Sequence, residues 1–326
     1  MSGVDPEIER ARALLEGARR IAVVSHERPD GDAVGSMLGL VLALRRRGQT
    51  AVPVLAGGLP PRYGFLPGAA DVLNAVPSES DLLVAVDCAE LSRTGIPAEA
   101  LRRPAGINVD HHPTNTRFAH VNLVDPSAVA TAQVLYSLSP ALGLPVDRDI
   151  AANYLAGLVT DTIGFRTPNV TPAVLRLAAE LEALAESLTK VYDLLLNRRS
   201  FAAARYWGAG LSRLERRGPV VWARLTLEDR LAAGYSGTDD ADLINLLGTI
   251  DGADLYLIFI EQGGGQVKVS WRSRNGLDVS RLAQQLGGGG HEPAAGATVA
   301  GELDEVVERV VRATLEASQA EGPGAA

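Results

Sequence analysis

The stretch Ile21-Ala22-Val23-Val24-Ser25-His26-Glu27-Arg28-Pro29-Asp30-Gly31-Asp32-Ala33-Val34-Gly35-Ser36 decides how this chain is read. It opens as a β-branched run of strand length, passes through a polar turn, and from Val34 continues as an apolar helical pattern that stops at Arg45, Arg46, Arg47 and Gly48. Cations in the last turn and a glycine behind it suit the negative end of a helix. Three more apolar runs come after it: TAVPVLAG from Thr50, LLVAVD ending at Asp87, and GINVD ending at Asp110. Short strands alternating with helical segments predict an α/β fold, a mostly parallel sheet with helices on both faces. In such a sheet ligands gather beyond the carboxyl ends of the strands. His26, Asp30, Asp32, Asp87, Asp110, His111 and His112 all fall there.

The chain has 326 residues, about two domains at the usual size of roughly 150 residues each. Hydrophobic residues make up 46% and charged residues 21%, which provides for sizeable cores and excludes disorder, collagen and coiled coil. The pattern predicts an α/β domain over 1–187, a helical linker over 188–217, and a smaller α/β domain over 218–326, with a substrate cleft between them. The second domain begins with the alternating runs VVWARLTL, DLYLIFIEQ and QVKVSWRS. The last residues, QAEGPGAA, read as a disordered tail. The single cysteine, Cys88, excludes a disulfide framework and Cys-based metal sites. The absence of a signal-peptide pattern or a membrane-length apolar run gives the expectation of a cytoplasmic protein without a membrane partner. A net charge of −8 argues against adhesion to long duplex nucleic acid, which depends on counterions released by a basic surface. A small phosphorylated substrate at one local site remains open, as does a homodimer.

Four of the five histidines, His26, His111, His112 and His291, lie in three conspicuous motifs. Asp161, in Gly157-Leu158-Val159-Thr160-Asp161-Thr162, closes a helical segment. Singly, each motif has a structural reading: Asp-Gly-Asp is commonly a turn, an acid after a strand an N-cap, a lone histidine a packed core group. Their joint occurrence at successive strand ends favours a site. Carboxylates and imidazoles without sulfur suit Mn²⁺, or Mg²⁺, better than a structural zinc. Asp30, Asp32, Asp87 and Asp161 carry four negative charges, which two divalent cations balance. A two-metal centre of this kind activates water and clamps an in-line phosphoryl displacement, so the chemistry expected is phosphoester hydrolysis.

These motifs, HERPDGDAVGS, the Asp87 strand end, Asp110-His111-His112-Pro113-Thr114-Asn115 and VTDTIGF, resemble in order the four motifs of the DHH phosphoesterase superfamily. Gly287-Gly288-Gly289-Gly290-His291-Glu292-Pro293-Ala294-Ala295-Gly296 resembles the signature of the DHHA1 domain that follows it in many members. The resemblance implies one Mn²⁺ on His26, Asp30 and Asp87 and a second on Asp32, Asp87, His111 and Asp161, with Asp87 bridging. It implies that Asp110 orients a histidine of the pair. His112 is then the candidate for contacting the phosphate or protonating its leaving oxygen. In the second domain it implies a phosphate-binding face made of Arg272, Ser273, Arg274, Gly288, Gly289, Gly290 and His291. Arg272 would be the fork onto a terminal phosphate, and the glycines a backbone anion nest. Asn115 and Thr131 would be supports behind the metal ligands. Ile163 stands where many relatives have glycine, which would narrow the cleft.

The activity implied is release of mononucleotides from short 5′-phosphorylated oligoribonucleotides and hydrolysis of 3′-phosphoadenosine 5′-phosphate (pAp) to AMP and phosphate. A cyclic di-AMP or pApA phosphodiesterase is the alternative within the enzyme class. A non-catalytic nucleotide sensor is the alternative outside it, and would be marked by loss of metal ligands, whereas all six are present. His120, Cys88, Trp207 and Trp222 read as structural.

Overall fold

Two units make up the chain, Met1–Arg198 and Arg199–Ala326. The computed structural model describes residues 5–97, 106–185, 187–274 and 276–320. In the first unit the apolar runs become β1 (Arg20–Val24), β2 (Thr50–Val54), β3 (Leu82–Val86), β4 (Ile107–Asp110) and β5 (Val121–Val124). Their order is β2-β1-β3-β4-β5 and every neighbouring pair is parallel. The strands read as nearly unbroken apolar runs because both faces are covered. Ile21, Val23, Val84 and Val86 join one core, whereas Ala22, Val24, Leu83 and Ala85 pack on the other side with Leu91, Ile96 and Phe118.

The helices of this unit are α1 (Pro6–Gly17), α2 (Gly31–Arg46), α3 (Thr131–Leu142), α4 (Arg148–Asp161), α5 (Pro172–Ala185) and α6 (Leu188–Tyr192). Buried residues of α2 to α5 complete the first of the two cores. Helix α2 crosses α4 closely: a Cβ on Gly35 would lie 2.3 Å from the Asn153 carbonyl oxygen, and one on Gly157 2.4 Å from the Asp32 carboxylate. That approach brings the start of α2 beside the end of α4. Strand order reverses about β1, so the crevice beyond the carboxyl ends of β1 and β3 is the switch point of the sheet. His26 follows β1 there and Asp87 follows β3. Strand β5 and helix α3 have weak sequence signals. The strand, like β4, is four residues long but leads into no catalytic-type motif, and the helix has no side-chain cap of its own and carries Pro140 within it.

The second unit contains α7 (Phe201–Leu211), β6 (Glu215–Arg217), β7 (Val220–Leu225), α8 (Leu227–Ala233), α9 (Leu243–Leu247), β8 (Leu255–Gln262), β9 (Gln266–Ser273), α10 (Val279–Gln285), β10 (Gly289–His291), β11 (Ala294–Ala300) and α11 (Leu303–Ala320). Its sheet has the order β10-β11-β9-β8-β7-β6 and is antiparallel except between β7 and β8. Alternation along β7 sorts side chains to two cores. Val220 and Trp222 pack with α10 and α11, and Val221, Ala223 and Leu225 with α7, α8 and α9. Of the stretch read as a linker, α6 and the π turn Asp193–Asn197 pack on α4, whereas α7 packs on α8 and β7. Gln319 and Ala320, read as the start of a disordered tail, belong to α11, and 321–326 lie outside the described residues.

Candidate metal centre

Each acid of the cluster is placed by backbone that has its own reason to be there. Asp30 is the N-cap of α2, accepting hydrogen bonds from the Asp32 and Ala33 amides at 3.0 Å. Asp32, the second residue of α2, is fully buried. Its Oδ1 accepts from Ser36 Oγ and the Ala132 amide at 3.0 Å, and its Oδ2 from the Thr131 amide at 2.6 Å. Thr131 and Ala132 open α3, whose own N-cap is Ala130, so Asp32 caps that helix from another element. Asp87 leaves β3 with φ 52°, a left-handed conformation unusual for a residue with a side chain. Its amide donates to the Val109 carbonyl at 3.0 Å, and its Oδ1 accepts from Thr131 Oγ1 at 3.0 Å.

Around Asp87 stand three histidines. His26 Nε2 is 3.6 Å from Oδ2, and His111 Nε2 and His112 Nδ1 are each 3.7 Å from Oδ1. His111 Nε2 also lies 3.2 Å from Asp161 Oδ2, while its Nδ1 faces the Ala128 carbonyl at 3.2 Å. The histidine that Asp110 orients is His112, through Nδ1 at 2.8 Å. Asn115 secures the other Asp110 oxygen at 2.5 Å and also reaches Asn108 Oδ1 at 2.8 Å. Asn108, Ser36 and the Ala128 carbonyl were not singled out in the sequence. Ser36 had a signal, lying one helical turn from Asp32.

Asp161 is the last residue of α4, and the chain leaves the helix through a Schellman turn. The Gly164 amide donates to the Val159 carbonyl at 2.7 Å and the Ile163 amide to the Thr160 carbonyl at 3.0 Å. This places Ile163 at the left-handed position that glycine usually fills, with φ 48°. Gly164 and Phe165 continue at 69° and 63°. For an L-residue that conformation costs about 1–2 kcal/mol, so a departure seen in the sequence as extra bulk is also a point of backbone strain.

The electrostatics are those of a cation site. Burial raises Asp32 well above the usual carboxylate range, and the charges of Asp87 and Asp161 add to it. Burial also pushes Asp161 up to about 6 against its hydrogen bond from His111. Asp87 goes the other way, because hydrogen bonding and charge from the three histidines outweigh its burial. His111, although buried, is pushed up to about 11 by Asp161, Asp87 and Asp32. No lysine or arginine pairs with Asp30, Asp32, Asp87 or Asp161 among the described residues.

Three sets have ligand atoms within 4.8 Å of one another: His26, Asp30 and Asp87; Asp32, His111 and Asp161; and Asp87, His111 and His112. Acids with no lysine or arginine partner among the described residues, set beside imidazoles and offering only oxygen and nitrogen donors, fit divalent cations. All six residues read as metal ligands lie in these sets, with Asp87 in two of them.

In the second unit, Arg272, Ala294 and His291 stand opposite one another on β9, β11 and β10. Arg272 Nη1 donates to the Trp271 carbonyl at 3.0 Å, and its Nε and the Ser273 hydroxyl are buried without a hydrogen-bond partner among the described residues. Arg274 is turned aside, bonded to the Gly248 carbonyl and lying over the Tyr256 ring. The glycines expected as a curled nest are instead drawn out. Gly289 and Gly290 form β10 because β11 pairs with them, and Gly288 enters it with its amide on the Ala283 carbonyl at 2.8 Å. Trp207 donates to the Ala241 carbonyl, Trp222 and Cys88 are buried, and His120 is exposed.

Comparison with known proteins agrees with these motifs. Residues 20–158 match the DHH family N-terminal domain, and 226–317 match the DHHA1 domain. A Thermus thermophilus protein described as bifunctional oligoribonuclease and PAP phosphatase NrnA is 41% identical over 97% of this chain and 98% of its own. A Bacillus subtilis protein of the same description is 29% identical over 84% of this chain and 87% of its own. Among solved structures, an exopolyphosphatase-related protein from Bacteroides fragilis superposes with a TM-score of 0.87, covering 96% of each chain at 24% identity. The chain belongs to the DHH family and carries a DHHA1 domain behind its DHH domain.

Proposed function

We propose that this protein is a divalent-metal-dependent phosphoesterase that releases mononucleotides from short 5′-phosphorylated oligoribonucleotides and hydrolyses pAp to AMP and phosphate. The observation that carries the reading is the meeting of His26, Asp30, Asp32, Asp87, His111 and Asp161 in sets that overlap at Asp87 and His111. The description of the Thermus thermophilus relative, matched over nearly the whole chain, supports the substrate class. His26, Asp30 and Asp87 would hold one cation, and Asp32, Asp87, His111 and Asp161 the other, with Mn²⁺ the preferred ion on donor type. When bound, such a pair supplies charge neutralisation at the phosphoryl oxygens and activation of water.

The chain's own groups do the rest. Thr131 and the start of α3 hold Asp87 and Asp32 in place. Asp110 fixes the His112 ring through Nδ1, which presents Nε2 to the substrate for a phosphate contact or for protonating the leaving oxygen. In the second unit, the Arg272 guanidinium, the Ser273 hydroxyl and His291 beside the strand of glycines would take a phosphate of the substrate. The one cysteine, Cys88, leaves no pair for an internal disulfide, in keeping with the expectation of a cytoplasmic protein. No helix among the described residues is long and apolar enough to cross a membrane.

The test is to strip the protein of metal, add Mn²⁺, and offer pAp, pApA, a five-residue RNA, short DNA, cyclic di-AMP and pyrophosphate, resolving products by chromatography. Turnover of pAp and the RNA is expected. Phosphate released from pyrophosphate alone would overturn the substrate assignment.

A further inference from the structure

We propose that Tyr192 is a positioning residue of the metal site, acting through the strained turn that ends α4 to keep the Asp161 carboxylate within reach of His111 and Asp32. The inference rests on the metal-centre reading. Ile163, Gly164 and Phe165 have φ of 48°, 69° and 63°, three left-handed residues in succession beginning two positions after Asp161. Such a run persists only where its surroundings hold it. Part of the hold is local: Thr162 Oγ1 accepts from the Phe165 amide at 2.9 Å and donates to the Leu158 carbonyl at 2.6 Å. Arg166 Nε donates to the Ile163 carbonyl at 3.0 Å and Phe165 packs on the core, and a further hold comes from a separate helix: Tyr192, at the end of α6, whose hydroxyl donates to the Gly164 carbonyl at 3.0 Å.

The contact is close as well as polar. A Cβ on Gly164 would lie 2.0 Å from the Tyr192 hydroxyl oxygen and 2.5 Å from the ring carbon that bears it. The tyrosine therefore sits directly over the glycine α-carbon, and glycine is required there for space as well as for its φ. Nothing else in the cluster needs this arrangement, since His26, Asp30, Asp32, Asp87 and His111 are placed by α2, β1, β3, β4 and the start of α3. Asp161 alone hangs on the end of a helix whose next residues are strained. With the clamp removed, less would oppose relaxation of the left-handed residues, and the helix end carrying Asp161 would shift with them.

The test compares wild type, Tyr192→Phe, Ile163→Gly and the double variant as metal-free proteins titrated with Mn²⁺ by calorimetry, with pAp turnover followed against Mn²⁺ concentration. Tyr192→Phe is expected to weaken the weaker Mn²⁺ step about tenfold, in the range seen when partners of metal ligands are removed. The substrate KM at saturating metal should stay put, and the turnover deficit should shrink as Mn²⁺ rises. Because the glycine removes strain at 163, the double variant should recover most of the lost affinity. A Tyr192→Phe protein that binds Mn²⁺ like wild type, even with a lower melting temperature, overturns the proposal, as does a double variant as weak as Tyr192→Phe alone. Wild type that binds no Mn²⁺ overturns the metal-centre reading itself, a result distinct from either.

Discussion

Replacing Asp32 by Asn separates the two tasks of that side chain, capping α3 and opposing cation charge. In the metal-free protein the change has opposing costs. An amide keeps one oxygen for the two backbone donors of Thr131 and Ala132, so one buried N–H loses its acceptor, at about 1–3 kcal/mol. Against this, ligand atoms of Asp32 and Asp161 lie within 4.8 Å, and two full charges at that distance repel by about 3.5 kcal/mol at an effective dielectric of about 20. Burial already suppresses part of the Asp32 charge, so this relief is an upper bound. The metal-free variant should therefore fall within about 2 kcal/mol of wild type.

With metal the outcome is one-sided. At a concentration of about one hundred times Kd, Mn²⁺ stabilises wild type by about 2.7 kcal/mol. For a unit of roughly 200 residues that is a rise in Tm on the order of 5–11 °C. Asp32→Asn should lose more than half of that rise. Scanning calorimetry after chelation, with and without Mn²⁺, reads both numbers. A variant that keeps the full metal-dependent rise, or one that cannot fold without metal, refutes the assignment of Asp32 as a ligand held by the α3 amides.

The same geometry sets further outcomes. Asp87→Ala should abolish pAp turnover and reduce the bound Mn²⁺ measured by atomic absorption, because it belongs to two ligand sets; near-normal turnover with an intact fold would remove its bridging role. Arg272→Ala should raise KM and blur the preference for oligonucleotide length while leaving kcat near wild type, and a loss confined to kcat would place that arginine at the reacting centre. The metal-free protein should lose stability as pH rises. His111, at about 11, keeps a proton that unfolded histidine sheds near 6.5, and Asp161, at about 6, keeps one that unfolded aspartate sheds near 3.8. In both windows the folded state holds more protons, so stability falls through them. Denaturant midpoints from about pH 4 to about pH 10 cover both windows, and a steady increase would contradict it. Mn²⁺ binding near neutral pH should correspondingly release protons, read by calorimetry in buffers of different ionisation heat.

The sequence by itself determined the parallel sheet and the rim on which the chemistry lies. An apolar run that ends in a polar turn is a local signal, and four such runs ending at His26, at the TAVPVLAG turn, at Asp87 and at Asp110 specify where strands stop whatever they pack against. Resemblance to family motifs supplied the ligand assignment on the same residues. What the sequence left undetermined depends on distant partners. Strand β5 and helix α3 were not legible; the helix takes its cap from Asp32, ninety-nine residues away. That Asp110 serves His112 rather than His111 is decided by the turn that puts the Ala128 carbonyl against His111. The glycine run looked like a loop because nothing local says that β11 will pair with it. Ile163 could be read only as a larger side chain, because backbone handedness appears once the helix end is folded. Local composition sets which segments are strands and helices. Which carboxylate meets which imidazole is set by packing between segments far apart in the chain, and only the folded molecule decides it.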